Sequence, residues 1–496
     1  MPSGEAFDVT PQLDSLLTLV RGIVHDGGIP EGDHQVFPDT YSTIDGVFTF
    51  RGGPQRIGGA FGVIPDEPVG LEIAWQARTS GGAAPWFGGA GWTGQPAIVR
   101  WPDVIRHSMV RLGARRFSGE LVEVIQGSLD GNVYFLDLFT GAQTRSPLRT
   151  KNPIKGSVSL DPRGYPLLFV GQGIPSRAPI GLRVYNLITD KEVFFLAGRD
   201  SDAPRQSWGA FDSSGLLNRL TDTYVVGGEN GLVYLLRLNT HFDPIALSLS
   251  VRPEVTRYRY RHPHSETFGV ENSLSVVRNL AYFADNSGLI QAVDLRRFEP
   301  LWAFDAGDDT DASLTIDLEA GKPVLYTGNE VDRTGPRGET HLRRLDGLTG
   351  KVAWDVTRRC LGARSPKKID AGVFATNVVG TGDVASLVFF TLARCPGPEN
   401  GLVLALDKAT GNEVWRVELP HFSWSSPTAV RTRSGHTYLV QGSVDGEVRL
   451  LDARTGATTA SVRLQGAIEA SPAAFGDRIV LGTRADRIYG LLVRGR

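Results

Sequence analysis

A Gly, an alternating apolar run, an Asp and a Thr-Gly turn return again and again along this 496-residue chain. The pattern is plainest at Asp130 to Gly141 (DGNVYFLDLFTG), His341 to Trp354 (HLRRLDGLTGKVAW), Gly401 to Trp415 (GLVLALDKATGNEVW) and Gly446 to Gly456 (GEVRLLDARTG). It drifts at Gly181 to Phe194, Asn230 to Thr240 and Gly288 to Trp302, and is cut short at Arg487 to Val493. Alternation bounded by turn residues predicts half-buried antiparallel strands. The Gly of Thr-Gly supplies the positive φ of a tight turn, and the Asp can accept hydrogen bonds from the turn amides. Each copy therefore reads as a β-hairpin. The equivalent positions Asp137, Asn186, Arg237, Asp294, Asp346, Asp407, Asp452 and Leu492 lie 40 to 61 residues apart. That period suits a four-stranded propeller blade better than the shorter unit of a solenoid.

A second motif gives the same count from other residues. Ahead of each hairpin lies a strand start built of small residues, beginning at Thr93, Lys155, Asp212, Glu271, Asp311, Val373, Trp424 and Glu469. Such starts suit innermost strands, where blades crowd the axis. Eight starts predict eight blades. The last copy ends after its third strand, whereas Leu71-Glu72-Ile73-Ala74-Trp75-Gln76 reads as an unclaimed Trp-bearing outer strand. Pairing the two would close the ring and leave no edge. The expected fold is all-β: an eight-bladed propeller of four-stranded antiparallel blades over residues 46–496, closed by an N-terminal outer strand. Residues 1–45 form a short extension, in which Pro11 to Val24 carries Leu13, Leu16, Leu17, Val20 and Ile23 near helical spacing. That helix is expected to cap the propeller or form a partner-binding arm.

Composition narrows the partners. With 52 basic against 54 acidic residues spread along the chain, nothing drives binding to a phosphate backbone, and nucleic acid is excluded as a partner. No apolar run of about 18 residues is present, which excludes a membrane-spanning helix. The first residues carry Glu5, Asp8 and Asp14 and no cationic stretch, so no signal peptide is expected in the chain as it stands. The only cysteines, Cys360 and Cys395, are too few for a disulfide scaffold and could pair or stay free.

The stretch Ala405-Leu406-Asp407 through Thr410-Gly411 to Trp415, with Trp424-Ser425-Ser426-Pro427 after it, resembles the PQQ-like repeat family, over roughly residues 70–496. Phe48-Thr49-Phe50-Arg51-Gly52-Gly53-Pro54 resembles the lead-in that precedes such propellers. The resemblance implies the fold and an extracytoplasmic setting. It does not choose between quinoprotein dehydrogenases, the barrel-assembly lipoprotein scaffold and other binding propellers. The dehydrogenases hold their quinone against a vicinal Cys-Cys disulfide, which Cys360 and Cys395 cannot form, and no CxxCH haem segment is present. PQQ is therefore disfavoured as a cofactor.

The first residues of the eight starts should ring one channel mouth. Asp212, Glu271, Asp311 and Glu469 face one ammonium, Lys155, with Trp424 beside them and Asp308, Asp309, Asp370, Arg205, Lys367 and Lys368 near in sequence. Converging carboxylates should have raised pKa values unless a cation neutralises them. Oxygen ligands at this density suit Ca²⁺ or Mg²⁺, or an organic amine stacked on Trp424. Alternatively, the acids accept hydrogen bonds from inner-strand amides and water fills the channel. The loop Gly307 to Asp311 carries metal candidates in Asp308, Asp309 and Asp311, without EF-hand spacing, so a solvated acidic loop is the alternative. His262-Pro263-His264 with Glu266 offers imidazoles to a transition metal or is an exposed loop. Trp302, Trp354 and Trp415 share a repeat position and are read as packing between blades. Trp86, Trp92 and Trp101 lie off the repeat and either contact a ligand or pack into the first blade. No GxSxG, HExxH or GxxxxGK segment occurs. The expectation is a monomeric, non-catalytic binding or scaffold propeller that meets a protein or small-molecule ligand at the mouth. The alternative is an enzyme on the same acidic mouth, either a PQQ- and Ca²⁺-dependent dehydrogenase or an acid/base catalyst.

Overall fold

The computed structural model describes residues 4–20, 35–81, 87–92, 94–174, 178–334, 338–362 and 370–496. They form eight blades around one axis. Blade 4 is the plainest: Ser275–Val277, Leu280–Ala284, Leu289–Asp294 and Glu299–Asp305 pair in chain order, antiparallel throughout. Inner strands start at the mouth, so second-to-third-strand loops return to the mouth face while the Asp-Thr-Gly turns lie on the far face.

Those turns are built as their sequence dictates. Asp346 Oδ1 accepts from Leu348 N, Thr349 N and Thr349 Oγ1 at 2.9 to 3.0 Å. Gly350 takes a φ of +70° and, having no Cβ, lets the Trp302 ring of the preceding blade lie against it. Trp302 Nε1 then donates to Gly347 O at 2.9 Å. Trp354 and Trp415 repeat this contact onto Lys408 O and Ala453 O. The recurring tryptophans are thus the staples between blades.

The ring closes as expected. Pro68–Arg78 is the outer strand of blade 8 and pairs antiparallel with Arg487–Gly495, with Leu71 opposite Val493 and Trp75 opposite Gly490. Trp75 Nε1 donates to Leu138 O of blade 1 at 2.7 Å and its ring rests on Gly141, the same staple carried by the N-terminal strand.

At the axis, small hydroxyl residues do more than fit. Each accepts the amide of a residue one blade back: Gln95 N to Ser157, Ser214 N to Ser273, Ser273 N to Ser313, Ser313 N to Thr376, Thr376 N to Ser426 and Ser426 N to Ser471, at 2.6 to 3.2 Å. Buried amides need such partners.

The axis is not an open channel. Gly46–Val47 pairs with the inner strand of blade 1, and the chain then climbs the axis through Phe48 to Arg56 and descends to Ala60–Phe61, which pairs with Ala474 and Phe475 of blade 8. On the way it bonds blade 2 (Leu160 N to Phe48 O), blade 4 (Val276 N to Pro54 O) and blade 5 (Ile316 N to Gln55 O). Two buried guanidinium groups hold the remaining blades. Arg51 donates to Pro427 O and Asn377 O of blades 7 and 6, and Arg56 to Ser214 O and Leu274 O of blades 3 and 4. All eight blades therefore touch this plug. Burial pulls the Arg51 guanidinium down to about 9 and that of Arg56 to about 10. Arg51→Lys, which keeps the charge but loses the fork, should cost about 2 kcal/mol in a denaturant titration, because one ammonium cannot serve both carbonyls.

The extension runs over blades 3 and 4 on the far face: Asn279 accepts Phe7 N and donates to Phe7 O, and Asn218 donates to Val36 O. The helix spans Ser15–Val20, with Leu17 and Val20 buried. The rest of the expected Pro11 to Val24 helix falls partly outside the described residues. No helix among the described residues is long and apolar enough to cross a membrane.

Candidate functional site

The plug turns the mouth into a blind cavity of about 410 Å³ with Phe50 among its lining residues. Trp92, Lys155, Asp212, Glu271, Asp311 and Trp424 all line it, so five ring positions chosen from the repeat converge, together with Trp92 from off the repeat. Glu469 does not line it; its carboxylate lies 3.5 Å from Arg484, and burial lifts it to about 7 against the pull of that guanidinium. Val373 turns into the blade core beside Gly328, and its neighbour Phe374 takes the ring place. Thr93, Trp86, Lys367 and Lys368 lie outside the described residues.

The walls differ in chemistry. On one side Phe374 and Phe422 flank Trp424 at ring-centroid distances of 5.6 and 5.5 Å, and the Arg394 guanidinium lies 4.2 Å over Phe422. On the other side stand two carboxylate triads. In the first, one oxygen each from Asp212, Glu229 and Glu271 lies within 4.8 Å of the others; in the second, the same holds for Asp309, Asp311 and Glu330.

The first triad contains its own cation. Lys155 Nζ contacts Asp212, lies 3.7 Å from Glu271 and 5.5 Å from the Trp92 ring centre. Burial pulls the ammonium down, but Asp212, Glu229 and Glu271 outweigh it and hold Lys155 well above its ordinary range. Burial, then the Asp212 and Glu271 charges, push Glu229 well up, while Trp208 Nε1 donates to its other oxygen at 2.6 Å.

The second triad has no such cation: no Lys, Arg or His among the described residues forms an ion pair with Asp309, Asp311 or Glu330. One oxygen of each is buried and meets no donor. Burial, then Asp311 and Asp309, raise Glu330 well above the usual carboxylate range, and burial with the Glu271 charge lifts Asp311 to about 7. Asp309 rises too, through burial and then Asp311 and Glu271.

Sequence reasoning placed Asp309 and Asp311 correctly together but grouped Asp308 with them. The Asp308 carboxylate instead turns away and accepts the backbone amides of Asp332, Arg333 and Thr334 at 3.0 to 3.3 Å. Adjacent residues of an extended linker point to opposite sides, so only alternate acids can share a site. Glu229 and Glu330, the two most buried acids of the triads, were missed. Both sit two residues past the Gly that ends a second strand, Gly227 and Gly328, and aligning those loops across repeats would have found them.

Other candidates resolve simply. Trp101 packs into blade 1, with Nε1 donating to Glu123 at 2.8 Å, away from the mouth. The His262 side chain is buried near Asp285, Oδ1 at 3.7 Å, and its Nδ1 accepts the His264 amide, which leaves no convergent imidazole pair. Arg205 stacks on Trp208 at 5.3 Å. Cys360 and Cys395 form a disulfide beside Arg394, tying the end of the blade 5 outer strand to a mouth-face loop of blade 6.

Residues 399–494 match the family model PQQ_2, described as outer membrane protein assembly factor BamB. Among solved structures, a europium-containing methanol dehydrogenase aligns at TM-score 0.59 and 12% identity, covering 90% of this chain and 98% of that one. The chain is an eight-bladed β-propeller whose last blades match a PQQ-like repeat model. The quinohemoprotein alcohol dehydrogenase ADHIIG from Pseudomonas putida HK5 aligns at TM-score 0.59 and 12% identity, over 91% of this propeller and 81% of that chain. BamB from Moraxella catarrhalis aligns at TM-score 0.51 and 15% identity, over 85% and 99%. None of the curated proteins matches the propeller by sequence. At these identities the likeness is one of fold, and the mouth residues carry the rest.

Proposed function

We propose that this propeller is a non-catalytic binding module whose blind mouth takes a small organic ligand or the projecting tip of a protein partner. The observation that carries this reading is the cavity itself, an aromatic wall of Phe374, Phe422 and Trp424 facing buried carboxylates. Concave, largely apolar sites with few convergent polar groups are what ligands occupy.

A PQQ cofactor does not suit these residues. The quinone is itself a polycarboxylate and would meet two carboxylate triads, and the disulfide links residues 35 apart rather than neighbours. Ca²⁺ suits the oxygen donors by chemistry and belongs among the ligands to be tried. The Cys360–Cys395 disulfide favours an oxidising, extracytoplasmic setting. A second reading, acid/base catalysis on a small molecule, draws support from carboxyls held near neutral pKa beside one another.

The test is calorimetric titration with a panel of cationic, neutral and anionic small molecules and short peptides, repeated on Trp424→Ala. At least one compound should bind, with affinity falling about tenfold in the variant, as expected for one aromatic contact of 1 to 2 kcal/mol. Absence of any binding that depends on Trp424 would sink the reading, and turnover of a bound compound would replace it with the enzymatic one.

A further inference from the structure

The two triads are one device built twice. Asp212 and Asp311 are equivalent strand-start residues of blades 3 and 5, and Glu229 and Glu330 follow the equivalent Gly227 and Gly328 by two positions. Each pair is completed by a nearby acid, Glu271 in the first and Asp309 in the second. The first copy displays its occupant: a primary ammonium, Lys155 Nζ, contacting Asp212 near Glu271 and facing the Trp92 ring. The second copy is as buried, with Glu330 3% exposed against 2% for Glu229, and, as in Glu229, its Oε1 meets no donor. Its own cation is missing among the described residues, yet its Asp311 opens on the same cavity as Phe374, Phe422 and Trp424.

From this repetition we infer that Asp309, Asp311 and Glu330 receive the primary ammonium of an exogenous amine, in the way that Asp212 and Glu271, with the Glu229 charge behind them, receive Lys155. The inference rests on the binding reading above and names its ligand class. An alkyl- or arylalkylamine, free or as a lysine side chain, supplies three donors for the triad, while its apolar body lies along the aromatic wall. Below its ordinary pKa of about 10.4 such a group is charged. A neutral alcohol of the same shape would leave the carboxylates unneutralised and should be rejected. A Lys-bearing peptide and a free amine share this chemistry, and the size of the entering group separates them.

The experiment is calorimetry at pH 7.5 with n-butylamine and 2-phenylethylamine, their alcohol counterparts, an acetyl-lysine-amide peptide and Ca²⁺. The wild-type protein should bind one equivalent of amine and no alcohol. Glu330→Gln, which is isosteric, should weaken the amine at least tenfold. Lys155→Met empties the first triad and should raise the stoichiometry to two; if that variant fails to fold, Glu330→Gln carries the test. Alcohols binding as well as amines would overturn the ammonium assignment while leaving the pocket a binding site. Ca²⁺ binding that depends on Glu330 and displaces the amine would make the second triad a metal site instead. Amines that give no saturable heat would also overturn the assignment, whereas the binding reading falls only if no compound of its panel binds in a way that depends on Trp424.

Discussion

Trp75→Ala should be among the most damaging single substitutions in this protein, costing about 3 to 5 kcal/mol, the usual range for deleting a buried Trp. Trp75 is 7% exposed, lies on Gly141 and Gly490, and donates to Leu138 O across the blade 8 to blade 1 junction. The other staples join blades that are consecutive in sequence, so a broken one leaves the covalent connection to hold its neighbours near. The junction at Trp75 joins the two ends of the ring, through a strand pairing that spans over 400 residues of chain. Closing so long a loop carries the largest entropic cost in the fold. Losing the staple therefore favours opening of the Pro68–Arg78 strand, which would expose the edge of Arg487–Gly495 to other chains. Urea titration should show the midpoint falling further for Trp75→Ala than for Trp415→Ala, with a rise in oligomer by size-exclusion chromatography. Equal shifts for the two variants, with no oligomer, would mean that closure depends on the strand ladder alone.

Why closure could be read before the structure, and the plug could not, follows from what repeats. Strand starts and the third-strand motif are written eight times and the Trp staple four, and each copy corrects the drift of the others. Even the missing fourth strand of the last copy is visible as a vacancy that Leu71 to Gln76 fills. Phe48 to Arg56 occurs once and lies at no repeat position. Its sequence marks it as distinct, but nothing local says that two arginines would be buried without a carboxylate, held by Pro427, Asn377, Ser214 and Leu274 carbonyls. The destination is set by the hole that eight blades leave, a property of the closed ring alone. The site divides in the same way. Ring residues followed from aligned strand starts, with a slip at Val373, where the small residue packs inward and Phe374 takes its place. Glu229 and Glu330 also repeat, but in loops whose flanking glycines alone keep the register. The placement of Asp308 was decided by amides of residues 332–334, over twenty positions away, which no local spacing reveals.

The buried acids should also make this protein less stable as pH rises from about 5 to 8. Asp311, Glu469 and Asp285 are each lifted to about 7, chiefly by burial, and Glu330, Asp309 and Glu229 are raised well above their ordinary ranges. A carboxyl whose folded pKa exceeds its unfolded value near 4 keeps its proton in the folded chain after the unfolded chain has lost it. Between those two pKa values the folded state binds more protons, so unfolding free energy falls as pH rises, by about 1.4 kcal/mol per pH unit per group. The loss ends above the folded pKa, near pH 7 to 8 for Asp311. His262, drawn down to about 4 by burial and the Arg333 charge, works the other way below pH 6.5. Arg333 also eases the ionisation of Asp309. Because the triad members interact, they titrate as a unit, and the slope belongs to the cluster. Glu330→Gln isolates its part: the amide cannot ionise, so the variant should gain on wild type by about 2 kcal/mol between pH 5.5 and 7.5, measured as the difference in urea midpoints. Amine at saturating concentration should flatten the wild-type slope, since an ammonium favours the ionised triad, and its binding should release protons, seen as binding heats that change with buffer ionisation enthalpy. A wild-type stability that is flat or rising across this range would mean that the mouth admits enough water to keep the carboxylates ionised, and the second triad would then have no need of a cation.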